Sequence, residues 1–226
     1  MNAAESSPAD RPFDAVMFDM DGTLVNSKIA IVQSYHDATT MIMGEPFPVE
    51  EEDIDRIIQL RGQETFPMIA KGDQEVAEKI KVEFGKAYAI HQAEIPLFDS
   101  VVTMLEAMKA GGIRLGIATS KARERFEVDM DRSGIRDFFE LTITGDDVTH
   151  AKPHPEPITK GIEQMGLEPD RVLYIGDGPN DVIAAREAGA RQAGVEFGFH
   201  PDECRAENPD YMLKSYLDLI PIVLSA

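Results

Sequence analysis

Five short apolar runs, each closed by polar or glycine residues, alternate along this chain with stretches of helical spacing. Phe13–Phe18 runs into Asp19, and Ile113–Ala118 runs into Thr119. Phe139–Thr144 runs into Gly145-Asp146-Asp147, and Val172–Ile175 into Gly176-Asp177; Ala190–Val195 is a weaker fifth. Runs this short and this rich in Val and Ile suit strands buried on both faces, as in parallel sheets. Between them Val101–Lys109, Lys121–Arg132, Pro155–Met165 and Pro179–Ala188 show helical spacing, each followed by a glycine stop. The alternation predicts an α/β fold with a doubly wound parallel sheet. Ligands of such sheets bind beyond the carboxyl ends of the strands, so the polar residues closing each run become the candidate site.

One stretch breaks the alternation. Ser27–Met43, Glu50–Leu60 and Gln74–His91 read as amphipathic helices with no strand between them. This is an α-helical insertion after the first strand, and Pro96 with Asp99-Ser100 marks the return. The expected organisation is a disordered lead-in over 1–12, an α/β core domain built from 13–26 and 96–226, and a helical domain over 27–95. Glu50-Glu51-Glu52-Asp53 reads as the charged first turn of a helix.

Composition narrows the partners. Lys and Arg number 22 against 41 Asp and Glu, a formal charge of −19. That balance argues against nucleic acid, whose phosphates are met by Lys and Arg, and against an anionic membrane surface. No stretch reaches the roughly 18 apolar residues of a membrane span, and the N-terminus has no apolar signal core. A cytoplasmic protein is expected, either monomer or homodimer. The lone Cys204 has no cysteine partner for a disulfide or a zinc site and reads as an inert thiol. The five histidines show no metal-ligand spacing, and His154 reads as a bystander. The methionines read mainly as core filler.

The strand ends carry Asp19 and Asp21, then Thr119 and Ser120, then Asp177 and Asp181, with Lys152 on a short loop after the third run. Carboxylates gathered at one edge repel unless a cation intervenes. Mg²⁺ held by a few carboxylates and by substrate phosphate answers that need. The hydroxyls and Lys152 offer donors to an anion, so the set points to metal-assisted chemistry on a phosphate group. Two carboxylates two residues apart can divide labour, one attacking phosphorus and the other serving as acid and then base. Gly22 permits a tight turn whose amides can face phosphate oxygens.

Four segments together resemble the haloacid dehalogenase (HAD) superfamily. They are Asp19-Met20-Asp21-Gly22-Thr23-Leu24-Val25, Ala118-Thr119-Ser120-Lys121, Lys152-Pro153-His154-Pro155 and Gly176-Asp177-Gly178-Pro179-Asn180-Asp181. The resemblance covers residues 13 to 220 and is nearest the phosphoglycolate phosphatase-like branch. It implies a Rossmann-like core and makes the helical insertion a mobile cap. It implies Asp19 as nucleophile, Asp21 as general acid and base, and Thr119 or Ser120 as phosphoryl hydrogen-bond donors. Lys152 would balance charge between phosphate and nucleophile. Mg²⁺ would be held by Asp19, the Met20 carbonyl and Asp177, with Asp181 bound directly or one partner removed. The implied reaction is hydrolysis of a small phosphorylated metabolite through an aspartyl-phosphate.

Rival readings stand beside this one. Asp21 speaks against dehalogenase and phosphonate hydrolase chemistry, which the superfamily runs without a second aspartate there. A phosphosugar mutase of β-phosphoglucomutase type keeps both aspartates but often lacks a threonine where Thr23 stands. A non-enzymatic interaction protein retaining the fold would not need Asp21 and Asp177. Arg61, at the Arg61-Gly62-Gln63 end of a cap helix, is either a partner for a substrate carboxylate or second phosphate, or a surface arginine. Lys121 either lines the mouth of the site or is exposed. Asp181 equally suits the first turn of a helix.

Overall fold

Ala15–Phe18, four buried apolar residues in a row, form the central strand β1. The computed structural model describes residues 11–48, 50, 53–54, 57–58 and 62–225, with the side chain of Gln63 excepted. Those residues fall into two compact units, one containing Ser27–Pro96 and the other the segments on either side.

In the larger unit six parallel strands lie in the order β3-β2-β1-β4-β5-β6. The further strands are β2 (Arg114–Ala118), β3 (Leu141–Ile143), β4 (Val172–Gly176), β5 (Arg191–Val195) and β6 (Tyr211–Leu213). The first five match the apolar runs of the sequence, with β4 extending one residue further to Gly176; β6 is an addition, a three-residue edge strand paired with β5. The direction of winding reverses between β1 and β4, which opens a crevice at their carboxyl ends. Phe18 stands level with Ile117 of β2 and Ile175 of β4, so Asp19, Thr119 and Asp177 leave the sheet at one edge.

Helices cover both faces, because period-two alternation sends neighbouring side chains of β1 in opposite directions. Ala15 and Met17 pack in one cluster with Tyr174 of β4, with Ile158, Ile162 and Met165, and with Ala184 and Ala185. On the opposite face Phe18 meets Tyr216 edge to face, with ring centroids 6.3 Å apart. Each large side chain buried this way contributes about 1.5–3 kcal/mol of transfer free energy. Arg11, expected in the disordered lead-in, donates instead to the Gly111 carbonyl; residues 1–10 lie outside the described residues.

The smaller unit contains α1 (Lys28–Met43), α2 (Gly62–Ile69) and α3 (Gln74–His91). The Asp73 side chain caps α3, accepting from Glu75 N at 3.0 Å and Val76 N at 3.1 Å. Ala77, Ile80, Phe84, Ala87 and Tyr88 then recur at helical spacing and are buried. Tyr35 and Phe84, with ring centroids 4.4 Å apart, join α1 to α3, and Phe66 closes the aromatic cluster from α2. Gly62, read from sequence as part of a helix end, starts α2, and its neighbour Arg61 lies outside the described residues. No helix among the described residues is long and apolar enough to cross a membrane. The larger unit adds α4 (Val101–Ala110), α5 (Arg123–Ser133), α6 (Glu156–Met165), α7 (Pro179–Glu187), α8 (Pro201–Ala206) and α9 (Leu219–Leu224).

Candidate active site

Asp19 is the first residue past β1, and its N–H donates to Ile175 O of β4 at 2.8 Å. That bond fixes the carboxylate at the crevice. Asp177 follows β4, and Asp181 lies in the first turn of α7. All three carboxylates are buried, and one oxygen from each lies within 4.8 Å of the others.

Lys152 enters this cluster from the loop before α6. Its Nζ is 2.8 Å from Asp19 Oδ1, 2.6 Å from Asp181 Oδ1 and 2.9 Å from the Tyr174 hydroxyl. Tyr174 in turn donates to the Ala118 carbonyl at 2.6 Å, at the end of β2. One buried ammonium is therefore held between β1, β4, α7 and, through the tyrosine, β2. Asp181 Oδ2 accepts from Gly178 N at 3.1 Å, so the same residue also caps α7. The two sequence readings of Asp181, site residue and first-turn residue, coincide in one side chain.

Three carboxylates against one ammonium leave the cluster short of positive charge. Burial pushes Asp19 up to about 6, against the opposing pull of Lys152. Burial also raises Asp177 well above the usual carboxylate range, and Asp181 and Asp19 add to that. Burial works against the Lys152 ammonium, but Asp181 and Asp19 outweigh it and hold the lysine charged. Lys152 meets Asp19 Oδ1 as an ion pair at 2.8 Å. Three buried carboxylates, with an oxygen of each within 4.8 Å of the others, are a donor set suited to a hard divalent ion such as Mg²⁺. Asp19, Asp177 and Asp181 are the residues able to hold it.

Gly22 is fixed by two requirements at once. Its φ is +76°, a backbone region costly for L side chains. A Cβ there would also overlap the Asp177 carboxylate. Glycine at position 22 is what lets the turn after β1 lie against Asp177. Phe199 N donates to Asp177 Oδ2 at 2.8 Å and holds the carboxylate from the other side.

The remaining sequence candidates separate. Asp21 is paired with Lys121 at 2.8 Å, and Lys121 also pairs with the buried Asp129 of α5. The Lys121 side chain is only 5% exposed, so its reading as an exposed lysine is corrected: two carboxylates draw it in. Thr119 is buried at the end of β2, and its hydroxyl accepts from Lys121 N at 3.2 Å; Ser120 beside it is exposed. The Met20 carbonyl accepts from the amides of Thr23, Leu24 and Val25, closing the turn after β1. Arg61 lies outside the described residues. Tyr174 and Asp129 were not among the sequence candidates; a strand tyrosine reads as core and a helix aspartate as surface.

Comparison with known proteins agrees with this arrangement. The family description "haloacid dehalogenase-like hydrolase" matches residues 16–195. Pyrophosphatase PpaX of Bacillus cereus strain G9842 is 32% identical over 212 residues, 93% of this chain and 96% of that protein. The crystal structure of a "predicted phosphoglycolate phosphatase" from Haemophilus somnus 129PT superposes with a TM-score of 0.83 at 25% identity, covering 93% of this chain and 98% of that one. A haloacid dehalogenase-like family hydrolase of Streptococcus pneumoniae has the same fold, with a TM-score of 0.82 at 24% identity, covering 92% and 97%. Fold, strand-end carboxylates and sequence match converge: the chain belongs to the haloacid dehalogenase-like hydrolase family.

Proposed function

We propose that the protein is a Mg²⁺-dependent phosphatase that hydrolyses a small phosphorylated metabolite through an aspartyl-phosphate on Asp19. The observation that carries this reading is the convergence of the buried Asp19, Asp177 and Asp181 carboxylates, with Lys152 paired to Asp19 at 2.8 Å. The names of the Bacillus pyrophosphatase and the Haemophilus phosphoglycolate phosphatase support a phosphoanhydride or a phosphate monoester as substrate class.

In this mechanism an Asp19 oxygen forms a bond to phosphorus while the bond from phosphorus to the leaving oxygen breaks. Asp21 gives its proton to that leaving oxygen. Asp21, now a carboxylate, takes a proton from water, whose oxygen attacks phosphorus and releases phosphate and Asp19. Lys152 holds Asp19 in place and offsets negative charge as the phosphoryl group arrives. Thr119 and Ser120, past β2, would donate to phosphoryl oxygens; the Gly22 amide expected to join them donates instead to Val25 O at 2.9 Å, closing the turn. Mg²⁺ held by Asp19, Asp177 and Asp181 would neutralise charge on the phosphoryl oxygens. In this reading the inserted helical unit is the cap that admits the leaving group.

The test is phosphate release from phosphoglycolate, sugar phosphates, nucleotides and pyrophosphate, with and without chelator. At least one substrate is expected to turn over, and chelator is expected to stop it. Asp19→Asn is expected to lose several powers of ten in turnover with its circular dichroism unchanged. Near-parental turnover in that variant would overturn the mechanism. An isomerised sugar phosphate without free phosphate would mark a mutase instead.

A further inference from the structure

We infer that His150, His154 and Glu156 form a second metal site, for one divalent transition ion of the zinc class, on the loop that carries Lys152. In sequence His150 precedes the third motif and His154 lies inside it, and the pair shows no metal-binding pattern. In the folded chain a ligand atom from each of the three residues lies within 4.8 Å of the others.

The loop is built so that these groups converge. Glu156 Oε1 accepts from Thr149 N at 2.7 Å, and Oε2 accepts from His150 N at 2.8 Å. The carboxylate is thus oriented by two backbone amides. Oε2 also faces His150 Nδ1 at 2.9 Å. That separation is close to the edge of roughly 3.3 Å between two ligands bound about 2.0–2.1 Å from a tetrahedral zinc. His154 is turned to the same side: its Nδ1 accepts from Glu156 N at 3.2 Å, and its ring centroid is 4.6 Å from that of His150. An ion bound at His150 Nδ1 takes the place of the hydrogen bond to Glu156: a neutral imidazole then carries its proton on Nε2, whereas an imidazolium releases its Nδ1 proton to solvent.

The ligand chemistry separates this cluster from the carboxylates at the strand ends. Two imidazoles and one carboxylate favour Zn²⁺, Co²⁺, Ni²⁺ or Cu²⁺, whereas the all-oxygen set of Asp19, Asp177 and Asp181 suits Mg²⁺. The His150 side chain is 61% exposed, so ions reach it from solvent. Lys152 lies between the two histidines in the chain, so a bound ion ties together the backbone on both sides of the lysine.

The experiment is calorimetric titration of the full chain with Zn²⁺ at saturating Mg²⁺, repeated with His150→Ala, His154→Ala and the double variant. One zinc per chain is expected beyond any taken up by the double variant. Each single variant is expected to bind roughly tenfold or more weakly. With Co²⁺ in place of Zn²⁺, the parent is expected to show visible absorption of a low-symmetry site, and the double variant none. Melting temperatures in chelator show whether each variant is folded. Should His154→Ala melt early, the exposed His150→Ala carries the comparison. No zinc uptake at saturating Mg²⁺, or uptake unchanged in the folded variants, would overturn the inference.

Discussion

Lys152 Nζ lies 2.9 Å from the hydroxyl of Tyr174, and the same hydroxyl spans 2.6 Å to the Ala118 carbonyl. A core tyrosine thereby couples the lysine beside Asp19 to the end of the strand that leads into Thr119. Tyr174→Phe keeps the ring but leaves both the Ala118 carbonyl and one lysine N–H without that partner. Leaving a buried polar group unsatisfied costs about 1–3 kcal/mol, and urea unfolding should show a loss of that size. Phosphate release should fall with it, because Lys152 loses one of the contacts that aim it at Asp19. Parental turnover together with parental stability would mean that the hydroxyl positions nothing.

Gly22→Ala tests the approach of the first turn to Asp177. Alanine at a φ of +76° carries about 1–2 kcal/mol of backbone strain. Its Cβ also overlaps the Asp177 carboxylate, which Phe199 N holds from behind. The variant should therefore need more Mg²⁺ for half-maximal phosphate release, a larger effect than its loss of stability implies. A Mg²⁺ titration superimposable on the parent's would show that Asp177 can move aside without consequence.

Asp210 offers a pH test away from the site. Arg191 donates to both its oxygens at 2.8 and 2.7 Å, and Gln192 N donates at 2.9 Å, clamping β5 to the entrance of β6. The Arg191 hydrogen bond leads in holding this carboxyl below its ordinary value of 3.8. The folded state therefore prefers the anion. The stabilisation is present above 3.8 and is lost as pH falls through the lower folded value. Asp210→Asn should cost about 1 kcal/mol near neutrality. The gap to the parent should close in strongly acidic buffer, where the parent's own carboxyl is protonated. A gap independent of pH would assign the effect to hydrogen bonding alone.

These cases show what can be read from the chain before it folds. Strands β1, β2 and β4 announce themselves as apolar runs because both faces of a central parallel strand are buried. The edge strand β6 does not: Tyr211 and Met212 are only half-buried, and three residues are too few to set a period. Asp19, Asp177 and Asp181 converge because doubly wound topology sends every strand's carboxyl end to one edge, so strand ends alone nominate them. Tyr174, Asp129 and the His150–His154 pair were invisible for another reason. Their roles depend on which way one side chain points across a sheet, a helix face or a loop, and composition carries no trace of that.

The Lys121–Asp129 pair separates structural from chemical roles beside Asp21. Both side chains are nearly inaccessible, at 5% and 3% exposure, while Asp21, the other partner of Lys121, is 27% exposed. Removing one member of such a pair takes a close counter-charge from the other, at a cost of up to about 3–5 kcal/mol, whereas replacing both with apolar residues of similar volume is often close to neutral. Lys121→Met should therefore be strongly destabilised in urea, and Lys121→Met with Asp129→Leu should recover most of the loss. Turnover should not recover with it, because Asp21 still lacks the ammonium 2.8 Å away that fixes its position. If the double variant regains both stability and turnover, Lys121 serves only the fold. If it regains stability alone, the lysine positions the carboxylate assigned to proton transfer.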